Sequence, residues 1–280
     1  CSFFKRRGKV TKPSIMKNIT IIFFFLFSIT LQANTLENMV KEEKGKQRVA
    51  LIIGNNNYAN LVHLKNPLDD ARLMRDTLKK SGFSILYKEN AEIKDMKNLL
   101  KKFAHKIHKG DLGFFYFAGH SVNVDGKNYL VGIDASLDNK VYISHEAIPL
   151  NNIIKKMRSS RDRLNVIISD TCRNTITKSA FGNNHFGRGV GKGLLSLANT
   201  EGIYIAYSTA TTEIVRDGEK GSHGILTEYF VQNLKKEGAT IEEIFQTTKK
   251  DVLDRTNSKN IINIYNQMMG DFFFILPPKK

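Results

Sequence analysis

Two apolar runs in this 280-residue chain end in residues that can do acyl-transfer chemistry. Leu164–Ser169 is followed at once by Asp170, Thr171, Cys172 and Arg173, and Asp111–Ala118 by Gly119, His120 and Ser121. A thiol becomes a nucleophile when a neighbour takes its proton or stabilises the thiolate, and an imidazole does both. If the two runs are adjacent strands of one sheet, their ends bring thiol and imidazole together. Residue types alone leave two readings of each: Cys172 as an inert, small apolar filler or as an attacking thiolate, and His120 as a satisfied imidazole or as a general acid/base. The chain has two cysteines, Cys1 and Cys172. Beyond residue 33 no intramolecular disulfide can form, so the fold must hold by its core.

The elements that would position these groups follow from hydrophobic periodicity. Arg48–Ile53 reads as a buried strand ending in a turn at Gly54-Asn55-Asn56-Asn57. Asn66-Pro67 starts a helix whose Leu68, Ala71, Leu73, Met74 and Leu78 recur at helical spacing until Gly82 stops it. A strand at Phe83–Tyr87, a helix at Ile93–Ile107 and the strand Asp111–Ala118 follow, the last apolar along most of its length as a central parallel strand should be. A hairpin at Val122–Val131 turns at Asp125-Gly126, and a helix at Leu150–Arg158 precedes the strand Leu164–Ser169. After a long aperiodic stretch, Asn174–Asn199, come the strand Gly202–Ser208, helices at about Ile225–Lys236 and Thr240–Arg255, and a last strand at Asp271–Leu276. Alternation of this kind predicts an α/β fold of three layers, with a mainly parallel central sheet of about six strands and helices on both faces. Sites in such sheets form beyond the carboxyl ends of the strands, where Cys172 and His120 both lie.

The formal charge of +16 suggests a polyanion partner, but residues 1–33 contribute six basic residues and no acid. The remaining excess is spread along lysine-rich helical stretches, and no basic run is interleaved with aromatics; a solvated basic surface is expected and no nucleic-acid partner. Met16-Lys17 followed by the apolar run Ile19–Leu31 has the size of a signal-peptide core and falls short of a membrane span. Residues 1–33 are therefore expected to be upstream residues plus a signal peptide, 34–46 a polar lead-in, and the mature protein periplasmic or secreted with no stable membrane span. The alternative is an uncleaved N-terminal anchor.

RVALIIGNNNY, LKNPLDDARLM, FFYFAGHSVNVDGKNYLVGID, VIISDTCRN, GIYIAYSTA with DGEKGSHGILTEYF behind it, and the terminal GDFFF occur in that order. Together they make the chain resemble a caspase-type cysteine peptidase, and within that family the bacterial metacaspase-like branch. The likeness covers residues 47–277, and the 52 residues from His120 to Cys172 fit a caspase-type spacing. It implies a large part at 47–173, a connecting loop at 174–199 and a small part at 200–277. By the same resemblance Cys172 is the nucleophile and His120 the acid/base of a dyad, with the backbone N–H groups of Ser121 and Cys172 forming the oxyanion hole. The family usually has Gly where this chain has Ser121, a change that matters only if the position needs a positive φ. Asp170 stands where Asp-specific caspases carry Gln, and Asp70 matches the second acid of the metacaspase specificity pocket. Two carboxylates there imply a peptide or protein substrate with Arg or Lys before the scissile bond. For Asp70 the residue type alone also allows a plain helix-start acid. Asp217 is a further candidate for lining the pocket, and Lys178, Arg188 and Lys192 are candidate processing sites. The rival reading is a caspase-fold protein that binds peptides or partners without cleaving them.

Other motifs lead nowhere. GRGVGKG lacks the residues of a phosphate loop, since Phe186 and Gly193 stand where Gly and Ser/Thr are required. His105 and His108 share a helix face without a third ligand, so no metal site is expected. No cofactor is expected either; calcium activation and the oligomeric state are left open. His223 reads as ordinary loop chemistry.

Overall fold

A computed structural model describes residues 46–107, 111–124, 127–158, 164–172, 202–210, 223–257, 260–268 and 272–278. These belong to one compact unit, Gly45–Lys280. In chain order its elements are β1 (Arg48–Gly54), α1 (Pro67–Lys80), β2 (Ser84–Glu89), α2 (Ile93–Lys106), β3 (Leu112–Val124) and β4 (Lys127–Val131). A short 3-10 turn (Lys140–Tyr142), α3 (Ile143–Glu146), β5 (Ala147–Pro149), α4 (Leu150–Met157) and β6 (Leu164–Cys172) come next. The order closes with β7 (Ile203–Ala210), α5 (Ile225–Leu234), α6 (Ile241–Arg255) and β8 (Asn260–Asn266).

The main sheet runs β2-β1-β3-β6-β7-β8. All neighbours pair in parallel except β7 and β8. The continuous apolar runs of β1, β3 and β6 suit the centre of such a sheet, because both faces are covered. On one face Ile52, Phe114, Tyr116, Val166 and Ile168 pack with Met74 and Leu78 of α1, Phe230 of α5 and Phe245 of α6. On the other Leu51, Ile53, Phe115 and Ile167 pack with Leu100 and Phe103 of α2 and Ile153 and Ile154 of α4. The three-layer α/β architecture expected from the sequence is the one observed.

Local signals account for the helix ends. Pro67 sits in the first turn of α1 with Asp69 and Asp70, and Lys79 and Lys80 in the last, an order that complements the helix dipole. Thr240 and Glu243 form a reciprocal capping box at the start of α6.

Two expectations need correction. The last strand is Asn260–Asn266, not Asp271–Leu276. Phe272, Phe273 and Phe274 are buried, but among the described residues this segment forms only an isolated bridge, from Phe273 to Thr240. The Arg48 guanidinium donates to the carbonyls of Phe273 and Phe274, each at 2.7 Å, and to that of Ser81 at 3.1 Å. The carbonyls of Phe272 and Ile275 also accept from the Ile241 and Gly238 N–H groups, each at 3.0 Å, so the run is a coil strap held by side-chain and backbone donors, which apolar content alone cannot separate from a strand. Residues 140–149, assigned no element from the sequence, contain the 3-10 turn, α3 and β5.

β3 is longer than expected and carries the site. Past Ala118 it continues through His120 and Ser121 into an antiparallel hairpin with β4, so one strand belongs to the main sheet and then to a side ribbon. Gly119 makes the passage with φ +156, and a Cβ there would stand 2.6 Å from Tyr58 Oη. Both backbone and space require glycine.

Candidate active site

Parallel pairing of β3 with β6 runs from Leu112↔Leu164 to Ala118↔Asp170, Gly119↔Thr171 and His120↔Cys172. The two candidate dyad residues are therefore direct neighbours across adjacent strands at the carboxyl edge of the sheet. The Cys172 side chain lies outside the described residues, as do Asp217, Lys178, Arg188, Lys192 and His108.

His120 is fully buried and held from three sides. Its backbone N–H donates to Tyr58 Oη at 2.8 Å. The Tyr58 ring lies against the imidazole, with centroids 4.5 Å apart and planes at 48°. Nε2 is 2.7 Å from the carbonyl oxygen of Val62. A carbonyl only accepts, so Nε2 carries the hydrogen, and in the neutral ring Nδ1 is the basic nitrogen. That tautomer is the one an acid/base partner for a thiol needs.

Ser121 follows in β3, opposite Leu130 of β4, and its φ is not among the positive ones. Serine is unstrained there, and its Oγ donates to Thr171 Oγ1 at 2.9 Å. The departure from the family's usual glycine carries no backbone cost.

Asp70 and Asp170 converge although they are 100 residues apart in sequence. Asp70, buried in the first turn of α1, accepts the Gly224 N–H on Oδ1 at 2.9 Å, and His223 Nδ1 lies 3.1 Å from the same oxygen. Asp170, half-buried at the end of β6, accepts the Thr227 hydroxyl on Oδ2 at 2.7 Å. A Cβ placed on Gly224 would be 2.9 Å from Asp70 Oδ2 and 3.0 Å from Asp170 Oδ2. The two oxygens are thus at most about 6 Å apart, close enough for one cation to sense both.

Beneath them Tyr116 Oη is 2.6 Å from Thr227 Oγ1. Since Thr227 donates to Asp170, it accepts from Tyr116, which makes a directed chain Tyr116 → Thr227 → Asp170. Burial pushes the Tyr116 phenol well above its ordinary pKa, and the charges of Asp70 and Asp170 push it further. It stays protonated and able to donate.

Sequence reasoning brought His120, Ser121, Asp70 and Asp170 to this edge of the sheet. It missed Tyr58, Val62, His223, Gly224 and Thr227. Tyr58 and Thr227 lie within stretches singled out above, but Val62 acts through a backbone carbonyl that no residue type reveals. His223 was set aside as loop chemistry, and the structure corrects that. Between α1 and β2 there is also an open cavity of about 620 Å³ lined by Arg75, Lys79, Ile85 and Tyr87; no candidate site residue borders it. Among the described residues no three His, Cys, Asp or Glu side chains gather as a metal site. No helix among them is long and apolar enough to cross a membrane.

The profile of the caspase domain matches residues 47–274. The chain is 31% identical over 137 residues to the Homo sapiens mucosa-associated lymphoid tissue lymphoma translocation protein 1, a match covering 49% of this chain and 16% of that protein. It is 33% identical over 138 residues to caspase-12 of Canis lupus familiaris, covering 48% of this chain and 34% of that protein. Against caspase-12 of Macaca mulatta it is 23% identical over 257 residues, covering 85% and 59%. These matches span less than two thirds of each relative. A crystal structure of a protein from Geobacter sulfurreducens shares the fold, with a TM-score of 0.58 at 13% identity over 83% of this chain and all of that one. With a profile that runs from the approach to β1 through the terminal phenylalanine strap, the chain belongs to the caspase-domain family.

Proposed function

We propose that the protein is a cysteine endopeptidase that cuts after Arg or Lys. The observation that carries this reading is the pairing of His120 with Cys172 across β3 and β6. Cys172 gives its thiol proton to His120 Nδ1, and the thiolate attacks the scissile carbonyl carbon. The developing oxyanion is met by the backbone N–H groups of Ser121 and Cys172. As the tetrahedral species collapses, the C–N bond breaks and the leaving amine takes the proton back from the imidazole. A thioester remains. Water, losing its proton to His120, attacks it, releases the acid and restores the thiol.

Asp70 and Asp170 support specificity for a basic residue, because each contributes a carboxylate oxygen to the space beside Gly224. Ser121, and Ala118 where some metacaspases carry a pocket Ser, favour the rival reading of a protein that binds without cleaving; the unstrained backbone at Ser121 speaks against the first of these. The positive and apolar segment Met16–Leu31 extends the reading to an exported enzyme.

Fluorogenic peptides ending in Arg, Lys or Asp, given to the purified protein beside Cys172→Ala and His120→Ala, test the reading. Cleavage of the Arg and Lys peptides, abolished in both variants, is expected. Preference for Asp would overturn the specificity, and wild-type activity surviving in Cys172→Ala would overturn the dyad.

A further inference from the structure

The start of α5 lies between the two pocket acids, and two residues there have no part in the mechanism above. Asp70 Oδ1 is held from two sides, by the Gly224 N–H at 2.9 Å and by His223 Nδ1 at 3.1 Å. An ionised carboxylate only accepts, so Nδ1 carries the hydrogen of that second contact. With Oδ1 fixed, Oδ2 faces the place where Gly224 has no side chain, 2.9 Å from where a Cβ would stand, and Asp170 Oδ2 faces it from the other side at 3.0 Å. The backbone of Gly224, φ −59 and ψ 137, is one that any residue adopts. Conformation therefore does not demand glycine at this position; the space between the carboxylates does. His223, Gly224 and Asp170 are each half-buried, and Asp70 is buried.

We propose that Gly224 and His223 determine the specificity of this site. Gly224 leaves open the gap in which a substrate cation meets both carboxylates. His223 is a positioning residue that turns Asp70 so that Oδ2 borders the gap. The inference rests on Asp70 and Asp170 being the specificity acids. A methyl group at position 224 would lie closer to both oxygens than carbon and oxygen normally approach, so it would part the acids and fill the gap while keeping the N–H that Asp70 accepts. Loss of the imidazole would leave Oδ1 held by the Gly224 N–H and let the carboxylate turn about that bond. An asparagine at 223 can set its Nδ2 where the imidazole Nδ1 stood and restore the donor.

The test compares inactivation rates with two peptidyl chloromethyl ketones, one ending in Arg and one in Ala, and uses iodoacetamide as a reagent that needs no pocket. Wild type should react faster with the Arg ketone. Gly224→Ala and His223→Ala should each lower the Arg-over-Ala rate ratio by about tenfold or more, the scale of a lost charge-assisted hydrogen bond. His223→Asn should recover most of that ratio, and iodoacetamide should alkylate all four proteins alike. In peptide cleavage the KM for Arg-ended substrates should rise more than kcat falls. Thermal unfolding reports whether each variant is folded, and if Gly224→Ala is not, the His223 pair decides. An unchanged ratio in His223→Ala, or His223→Asn no better than His223→Ala, overturns the inference while wild-type Arg preference leaves the specificity reading standing. A wild type without Arg preference overturns both.

Discussion

Replacing Thr227 by Val tests the directed chain beneath the candidate pocket. The residue is fully buried, and Val keeps its shape while deleting the hydroxyl. Two bonds vanish together: the one donated to Asp170 Oδ2 at 2.7 Å and the one accepted from Tyr116 Oη at 2.6 Å. A hydrogen bond to a charged group contributes about 1.5–3 kcal/mol, and a buried hydroxyl left without its partner costs about 1–3 kcal/mol. Asp170 is half-buried, so water replaces part of the first loss. The expected destabilisation is about 2–4 kcal/mol. Tyr116→Phe leaves Thr227 bonded to Asp170 and should cost about 1 kcal/mol. In the double variant no Tyr116 hydroxyl is stranded, so its cost should fall short of the sum of the singles by about 1 kcal/mol or more. Urea unfolding of the four proteins at neutral pH measures this, provided the m-values agree. A double variant that equals the sum to within about 0.5 kcal/mol would refute the chain.

Three further outcomes follow from the same geometry. Tyr58→Phe removes the acceptor of the His120 N–H and should lower kcat by about tenfold, with a shift in the pH profile of Cys172 alkylation; an unmoved profile would show that Tyr58 does not position the ring. Asn55→Ala deletes a buried amide that bonds the Ala91 carbonyl, the Val131 carbonyl and the Ala91 N–H, and should cost about 2–4 kcal/mol in urea unfolding. Glu89 is held below the ordinary glutamate range, first by its bond to Arg72. A carboxyl depressed by folding adds stability that is present above its unfolded pKa and lost as pH falls through the folded one. Because Arg72 is 45% and Glu89 29% exposed, Glu89→Gln should cost at most about 1 kcal/mol at neutral pH, and the gap to wild type should close in acid.

What the sequence revealed tracks how completely a segment is buried. β1, β3 and β6 are covered on both faces, so their runs are apolar without interruption and their ends could be located. β8 is an edge strand in which asparagines interrupt the isoleucines, and its signal was weaker than that of Phe272–Phe274, which are buried as coil. The site divides in the same way. Cys172 and His120 could be paired because each closes such a run. Asp70 was placed by resemblance, since a helix-start acid has an adequate local explanation. His223 was dismissed because its partner is 153 residues away, a distance over which side-chain type carries no information.

Like charges this close ordinarily repel strongly enough that one is neutralised. Here α1 and β6 supply the two acids, and the start of α5 supplies the groups that meet them. The Gly224 N–H and the His223 imidazole meet Asp70, and the Thr227 hydroxyl, backed by Tyr116, meets Asp170. All three residues stand at or within the first turn of α5, whose N-terminus carries the positive end of the helix dipole. These donors are N–H and O–H groups that hold the carboxylate oxygens in place. On the proposed specificity, a substrate cation entering beside Gly224 would relieve the repulsion between the acids as well as form new bonds, whereas a neutral side chain would leave that repulsion intact and bury it further. Discrimination for charge should therefore exceed what two added hydrogen bonds would supply, and it should weaken as salt screens the pair.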